Sequence, residues 1–281
     1  MKEIDKMQQI YNNINTITIG GFDGIHLGHQ ELFKHLGTNG AIIVIQTGYA
    51  NLTPNTYRNL YTHYPIIYYD LKQIRNLSGK DFLELLSQQF PNLKTIIVGF
   101  DFHFGKDAKY NTSDLEQLFY GTVKIVPEFF YNNIAVHSKT IREYISAGDI
   151  LLANQLLGKP YTIHGEHIKG QGIGAKELLP TINIQCKQFL LPKDGVYYTY
   201  TTVDRKKYLS VTFLGHRRTT DQNYAIETHI IDKNITVQNP NISIEFHKFI
   251  RGNKKFTTLM QLQEQILYDI QNVKREDKDG I

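Results

Sequence analysis

Two histidines three residues apart close the segment Ile19-Gly-Gly-Phe-Asp-Gly-Ile-His-Leu-Gly-His29. Imidazoles can donate to phosphate oxygens, and a spacing of three puts His26 and His29 on one face once a helix has begun. Gly20, Gly21 and Gly24 let the backbone approach a ligand closely, and the N–H groups of a helix opening directly after them suit a phosphate. Zinc is the competing chemistry for such a pair, and Asp23 would have to be its third ligand.

Two further segments carry groups of the same kind. In Val98-Gly-Phe-Asp-Phe-His-Phe-Gly105, Asp101 could bind a ribityl or ribose hydroxyl or a metal, while Phe102 and Phe104 could wall a planar ring. In His137-Ser-Lys-Thr-Ile-Arg142, Ser138 and a helix N-terminus are apt donors to a phosphate, and Arg142 can offer its charged fork to a triphosphate one turn later.

These residues need strands and helices to aim them. Short β-branched runs at 16–19, 41–45, 64–69, 95–98 and 123–126 read as strands, and amphipathic stretches at 29–36, 80–89 and 113–119 as helices between them, the last capped by Ser113 or Asp114. Such alternation predicts a parallel sheet covered on both faces, whose ligands collect at the carboxyl ends of the strands, where both glycine-rich motifs fall. Helices follow at 140–148 and 149–157, the second with Asp149 as N-cap and Gly158 as its stop. Lys159-Pro160 ends helical structure, which places a domain boundary there and predicts domains of 1–158 and 159–281. Beyond it, strands at 161–168, 181–185, 196–203, 208–213, 225–231 and 242–249 predict a small antiparallel barrel or sandwich. Leu259, Leu262, Ile266, Ile270 and Val273 mark one face of a final helix, with 274–281 read as a frayed, solvated end.

Composition bounds what these sites can serve. The 281 residues carry a formal charge of +4, spread along the chain, which suits anionic small molecules such as nucleotides. No arginine-rich segment interleaved with aromatics appears, so nucleic acid is not the expected partner. No uninterrupted apolar stretch approaches the roughly 18 residues of a membrane helix, and the start lacks the apolar block of a secretory signal, so a cytoplasmic protein is expected. Cys186 is the single cysteine, which rules out an internal disulfide and leaves a small buried side chain as its reading.

His26-Leu-Gly-His29 matches the HxGH signature of nucleotidyltransferases. The three segments together, in this order, resemble the bifunctional bacterial riboflavin kinase/FMN adenylyltransferase (FAD synthetase) family, over residues 16–273. Leu157-Gly-Lys-Pro-Tyr161 resembles that family's hinge into a six-stranded flavokinase barrel, Pro180-Thr-Ile-Asn183 its Pro-Thr-Ala-Asn, and Leu191-Pro-Lys-Asp-Gly-Val-Tyr197 is well matched. The resemblance implies an α/β chain: a doubly wound parallel-sheet nucleotidyltransferase domain, then a small antiparallel β-barrel with a terminal helix. It implies AMP transfer from MgATP to FMN, giving FAD and pyrophosphate, with His26, His29 and Arg142 at the reacting phosphates. Gly21, Phe22, Asp23, Gly24, Gly28, Ser138 and Lys139 would line the nucleotide, and Asp101, Phe102 and Phe104 the flavin. Riboflavin phosphorylation is the second implied activity, with Glu227 as base and Thr181 and Asn183 at Mg²⁺ and nucleotide.

The chain departs from the family pattern at named places. Gln46-Thr-Gly-Tyr-Ala50 stands where the family has Phe-x-Pro-His-Pro, and His137 and Lys139 replace a Ser and a Thr. In the glycine-rich loop Gly170 to Leu179, Leu178 stands for Gly, and Phe213-Leu-Gly-His-Arg-Arg-Thr219 replaces Asn-x-Gly-x-Arg-Pro-Thr. The substitutions at 46–50, 139 and 178 motivate a second class of reading, a paralogue that binds flavin or nucleotide as a sensor without turnover.

Overall fold

A computed structural model describes residues 2–169, 179–216 and 224–279, with side chains from residue 8 onward. Leu178, most of the glycine-rich loop and the end of the 213–219 segment therefore lie outside the described residues. The chain divides into two compact units, Met1–Ser138 and Lys139–Ile281.

In the first unit the β-branched runs form a five-stranded parallel sheet: β1 (Thr16–Gly20), β2 (Gly40–Gln46), β3 (Ile66–Asp70), β4 (Thr95–Gly99) and β5 (Thr122–Val126), in the order β3-β2-β1-β4-β5. Successive side chains alternate between two apolar layers, as the period of a strand requires. Ile17, Ile19, Ala41, Ile43, Ile96 and Val98 meet Phe82, Leu86 and Phe90 of the α4 region and Leu115 of α5, where α4 is Gly79–Gln89 and α5 is Thr112–Leu118. Ile42, Val44 and Ile97 face the other way, onto Leu32, Phe33 and Leu36 in and after α2 (Leu27–Phe33). A first helix, α1 (Lys2–Asn13), precedes the sheet, and a single turn, α3 (Leu71–Ile74), follows β3.

Two helix starts differ from the expectation. The first begins at Leu27 because the His26 ring itself serves as N-cap, accepting the His29 N–H. The cap of α5 is Asn111 rather than Ser113 or Asp114: its side chain accepts two backbone N–H groups and Asp114 returns a bond to the Asn111 N–H, a reciprocal capping box. A short hairpin of β6 (Phe130–Tyr131) and β7 (Ile134–Ala135) then leads to α6 (Ser138–Ala147).

The second unit resolves barrel against sandwich. β8 (Tyr161–Ile168), β9 (Ile182–Gln185), β10 (Gly195–Val203), β11 (Lys206–His216), β12 (Tyr224–Ile230) and β13 (Asn241–Arg251) close into a barrel in the order β10-β11-β12-β9-β8-β13, every neighbour antiparallel. The packing boundary precedes the expected one at 158/159, because α7 (Ile150–Leu157) packs on β8 and β13, and the Lys193 N–H reaches the Ile145 carbonyl of α6. Asp149 caps α7 and left-handed Gly158 ends it, as its sequence predicts. Inside the barrel Thr199, Thr201, Ser210, Thr212 and Thr228 are fully buried and share hydroxyl hydrogen bonds of 2.8–3.0 Å, which satisfies them without water.

The last helix, α8 (Leu259–Lys278), covers the outer face of the barrel with Ile266, Ile270 and Val273. Leu259, expected on that buried face, is exposed. The stretch from 274 is not frayed through most of its length: helix continues to Lys278, and Asp277 accepts from the hydroxyls of Tyr198 and Tyr200, at 2.8 Å for the former. Cys186 is half-buried, and burial pushes its thiol up. Among the described residues no helix is long and apolar enough to cross a membrane.

Candidate active site

The strand order reverses between β1 and β4, and both glycine-rich motifs leave the carboxyl ends of these two neighbouring strands. The crevice of an open α/β sheet lies at such a reversal. Three residues of the β1–α2 turn sit in the left-handed region: Phe22 at φ 46°, Gly24 at 91° and Ile25 at 46°. A non-glycine residue there costs about 1–2 kcal/mol, so the surroundings must hold it.

Several contacts do. The Asp23 carboxylate accepts backbone N–H groups of Asn51 at 3.1 Å, Leu52 at 3.0 Å and Thr53 at 2.8 Å, and the Gly24 N–H donates to the Thr53 hydroxyl at 2.7 Å. The Ser138 hydroxyl donates to the Asp23 carbonyl at 2.8 Å. Arg58, in a 3₁₀ turn over Asn55–Tyr61, donates to the carbonyls of Gly21 and Phe22. Asp23 is thus a buried clamp for the segment after β2, and its carboxylate is committed to backbone donors where zinc ligation would need it free to face the histidines.

His26 is buried and His29 half-buried, their rings stacked with centroids 3.5 Å apart. Because the Nδ1 of His26 accepts the His29 N–H at 3.3 Å, the proton of the neutral ring lies on Nε2, which makes that atom a donor. Space at Gly28 is tight: a Cβ would lie 3.1 Å from the Val136 carbonyl and 3.3 Å from the His26 ring. Gly21 is exposed, with nothing within 4 Å of where a Cβ would stand. Phe22 contributes its backbone to the turn, since its ring is buried edge-on to Phe33 and His29.

At the end of β4, Asp101 is exposed and Phe102 half-buried. Phe104 belongs to the core, stacked on Phe102 at 5.6 Å and packed on Tyr110 and Phe82. His137, in place of a Ser, pairs with Glu128 at 2.7 Å. Lys139 is exposed and Arg142 half-buried along α6, in the range of the second unit.

On the barrel, Ile226 and Thr228 are buried, and the alternation turns Glu227 to the outer face, half-exposed. Its cross-strand partner is Asn183, so both side chains share that face. Thr181 lies just ahead of β9, beside Pro180, whose carbonyl is 2.8 Å from His229 Nδ1. Thr and Asn oxygens beside a carboxylate are hard donors of the kind Mg²⁺ takes together with substrate phosphates. Among the described residues no group of three or more His, Cys, Asp or Glu is placed to cage a metal. Neither Arg58 nor His229 stands out in the sequence; each is a single polar residue whose partners are backbone carbonyls that no side-chain pattern announces.

A flavokinase model, described as riboflavin kinase, matches residues 157–276, and an FAD synthetase model matches 8–43. A bifunctional riboflavin kinase/FMN adenylyltransferase of Buchnera aphidicola (subspecies Acyrthosiphon pisum) is 30% identical, over 96% of this chain and 95% of that protein. The chain belongs to the bifunctional riboflavin kinase/FMN adenylyltransferase family. The Bacillus subtilis protein of that name is 28% identical, over 93% of this chain and 92% of its own. A crystal structure described as a macrolide-efflux protein from Streptococcus pneumoniae superposes with a TM-score of 0.81 at 26% identity, over 93% of this chain and 94% of that one. The two family models fall one on each side of the chain, the FAD synthetase match spanning β1 and the His26–His29 turn, the riboflavin kinase match spanning the whole barrel.

Proposed function

We propose that the chain makes FAD in two steps, phosphorylating riboflavin to FMN on the barrel and transferring AMP from ATP to FMN at the β1–α2 turn. The stacked His26–His29 pair beside the open Gly21 turn, at the strand-order reversal, is the observation that carries the second step. In it a phosphate oxygen of FMN attacks the α-phosphorus of ATP in line, the bond to the bridging oxygen breaks, and pyrophosphate leaves with the electron pair. His26, through its Nε2 proton, and His29 donate to the oxygens where that charge gathers. Gly21 lets the nucleotide approach the backbone, Gly24 takes the left-handed conformation of the turn and Gly28 leaves room for the His26 ring, with Phe22 and Asp23 shaping the turn and Ser138 bracing it. Asp101 takes a flavin hydroxyl and Phe102 a ring face, with Phe104 behind it as support.

On the barrel, Glu227 accepts the proton of the riboflavin hydroxyl as that oxygen attacks the γ-phosphorus and ADP leaves. Thr181 and Asn183 orient the nucleotide beside it. Thr181 and Asn183 oxygens would hold Mg²⁺ together with the phosphates of ATP, and the ion would supply neutralisation of phosphate charge there. We place both reactions in the cytoplasm, where ATP is supplied. The Buchnera aphidicola and Bacillus subtilis relatives are named for enzymes, and neither name supports the sensor reading.

His29→Ala tests the first site. FAD formation from FMN and MgATP is expected to fall about 10²-fold, the usual cost of one lost transition-state donor, with the fold retained by circular dichroism. An unchanged rate would contradict the assignment.

A further inference from the structure

We infer that Arg58 is a positioning residue for the phosphate turn, acting from behind it through the peptide groups of Gly21 and Phe22. The inference rests on the reading that the phosphates of ATP lie at this turn. The Arg58 side chain is 2% exposed. Its Nε donates to the carbonyls of Gly21 and Phe22, at 3.2 Å each, Nη2 to Gly21 at 3.0 Å and Nη1 to Asn55 at 3.0 Å.

A trans peptide is planar, with its C=O and N–H pointing opposite ways. Carbonyls drawn back toward the guanidinium therefore turn the N–H groups of Phe22 and Asp23 away from it. Successive N–H groups around a left-handed residue form a concave nest for anions, and Phe22 at φ 46° is that residue. In front of the turn Gly21 leaves open space, so a phosphate can reach it. Burial pulls the Arg58 pKa down and the nearby Asp23 charge opposes that pull. A cation held behind the turn adds to the field that favours phosphate in front of it.

The arrangement requires arginine. A planar fork can serve three carbonyls at once in fixed geometry, whereas lysine offers a compact charge with no such fork.

The test uses the full chain as wild type, Arg58→Lys and Arg58→Met, each at a temperature where circular dichroism shows it folded. FAD formation is measured with ATP and FMN varied in turn, and inorganic pyrophosphate is titrated by calorimetry. In Arg58→Lys, the milder change, KM for ATP and Kd for pyrophosphate are expected to rise about tenfold, and in Arg58→Met further, with KM for FMN within about twofold of wild type. A general loosening of the unit would move both substrates' KM together. Wild-type values for ATP and pyrophosphate in both folded variants, or no pyrophosphate binding by the wild type, would overturn the inference. A wild type that makes no FAD would instead contradict the proposed function, and the pyrophosphate titration would still decide the role of Arg58.

Discussion

At the scale of single residues, Glu245 on β13 gives the barrel a pH dependence of defined sign. The His247 ring, 3.8 Å away, and the Lys207 ammonium, 2.6 Å away, together hold its carboxyl below the ordinary value of 4.5. A depressed folded pKa contributes stability that is fully present above the unfolded value and is lost as pH falls through the folded one. Glu245→Gln removes that contribution. The melting temperature of the variant is expected to lie below wild type at neutral pH and to converge on it as pH falls below the ordinary carboxylate range. A gap independent of pH would show that the carboxyl is not held in this way. Residue types foretold the chemistry of the first site better than the position of each side chain. Phe104 reads as a ring wall in the sequence, yet its ring is buried, because an aromatic soon after a buried strand fills the sheet's apolar layer. Asp23 reads as a ligand, and its carboxylate satisfies the backbone of a segment nearly thirty residues on, a pairing created only by folding.

Elements were more legible, since period-2 and period-3.6 patterns record which face is buried. β1, β2 and β4 appear in the sequence nearly at their observed bounds, and so does β8. Helix α1 is absent from that expectation, although Ile4, Met7, Ile10 and Tyr11 recur at helical spacing and Ile10 and Tyr11 pack on the core. The cap of α5 was missed because Asn111, Ser113 and Asp114 all favour caps, and only the observed bonds separate them. Pairing between β12 and β9 is what sets Glu227 opposite Asn183, residues 44 apart in sequence. Asn183→Ala is therefore expected to slow riboflavin phosphorylation by roughly tenfold to a hundredfold while leaving FAD formation from supplied FMN unchanged. Equal loss of both rates, or of neither, would contradict the separate roles given to the two units.

Over the whole molecule, the change of texture at Lys159-Pro160 announced two domains, and packing divides the chain earlier, because α6 and α7 join the barrel. Apolar periodicity cannot reveal that, since it records that a helix face is buried and not against which unit. The central claim, that one chain carries both reactions, is tested most directly by chromatography of its products after incubation with MgATP and riboflavin alone. FMN is expected first, followed by FAD, and FMN supplied in place of riboflavin should give FAD without a lag. Riboflavin left unconverted, or no FAD from supplied FMN, would contradict the account.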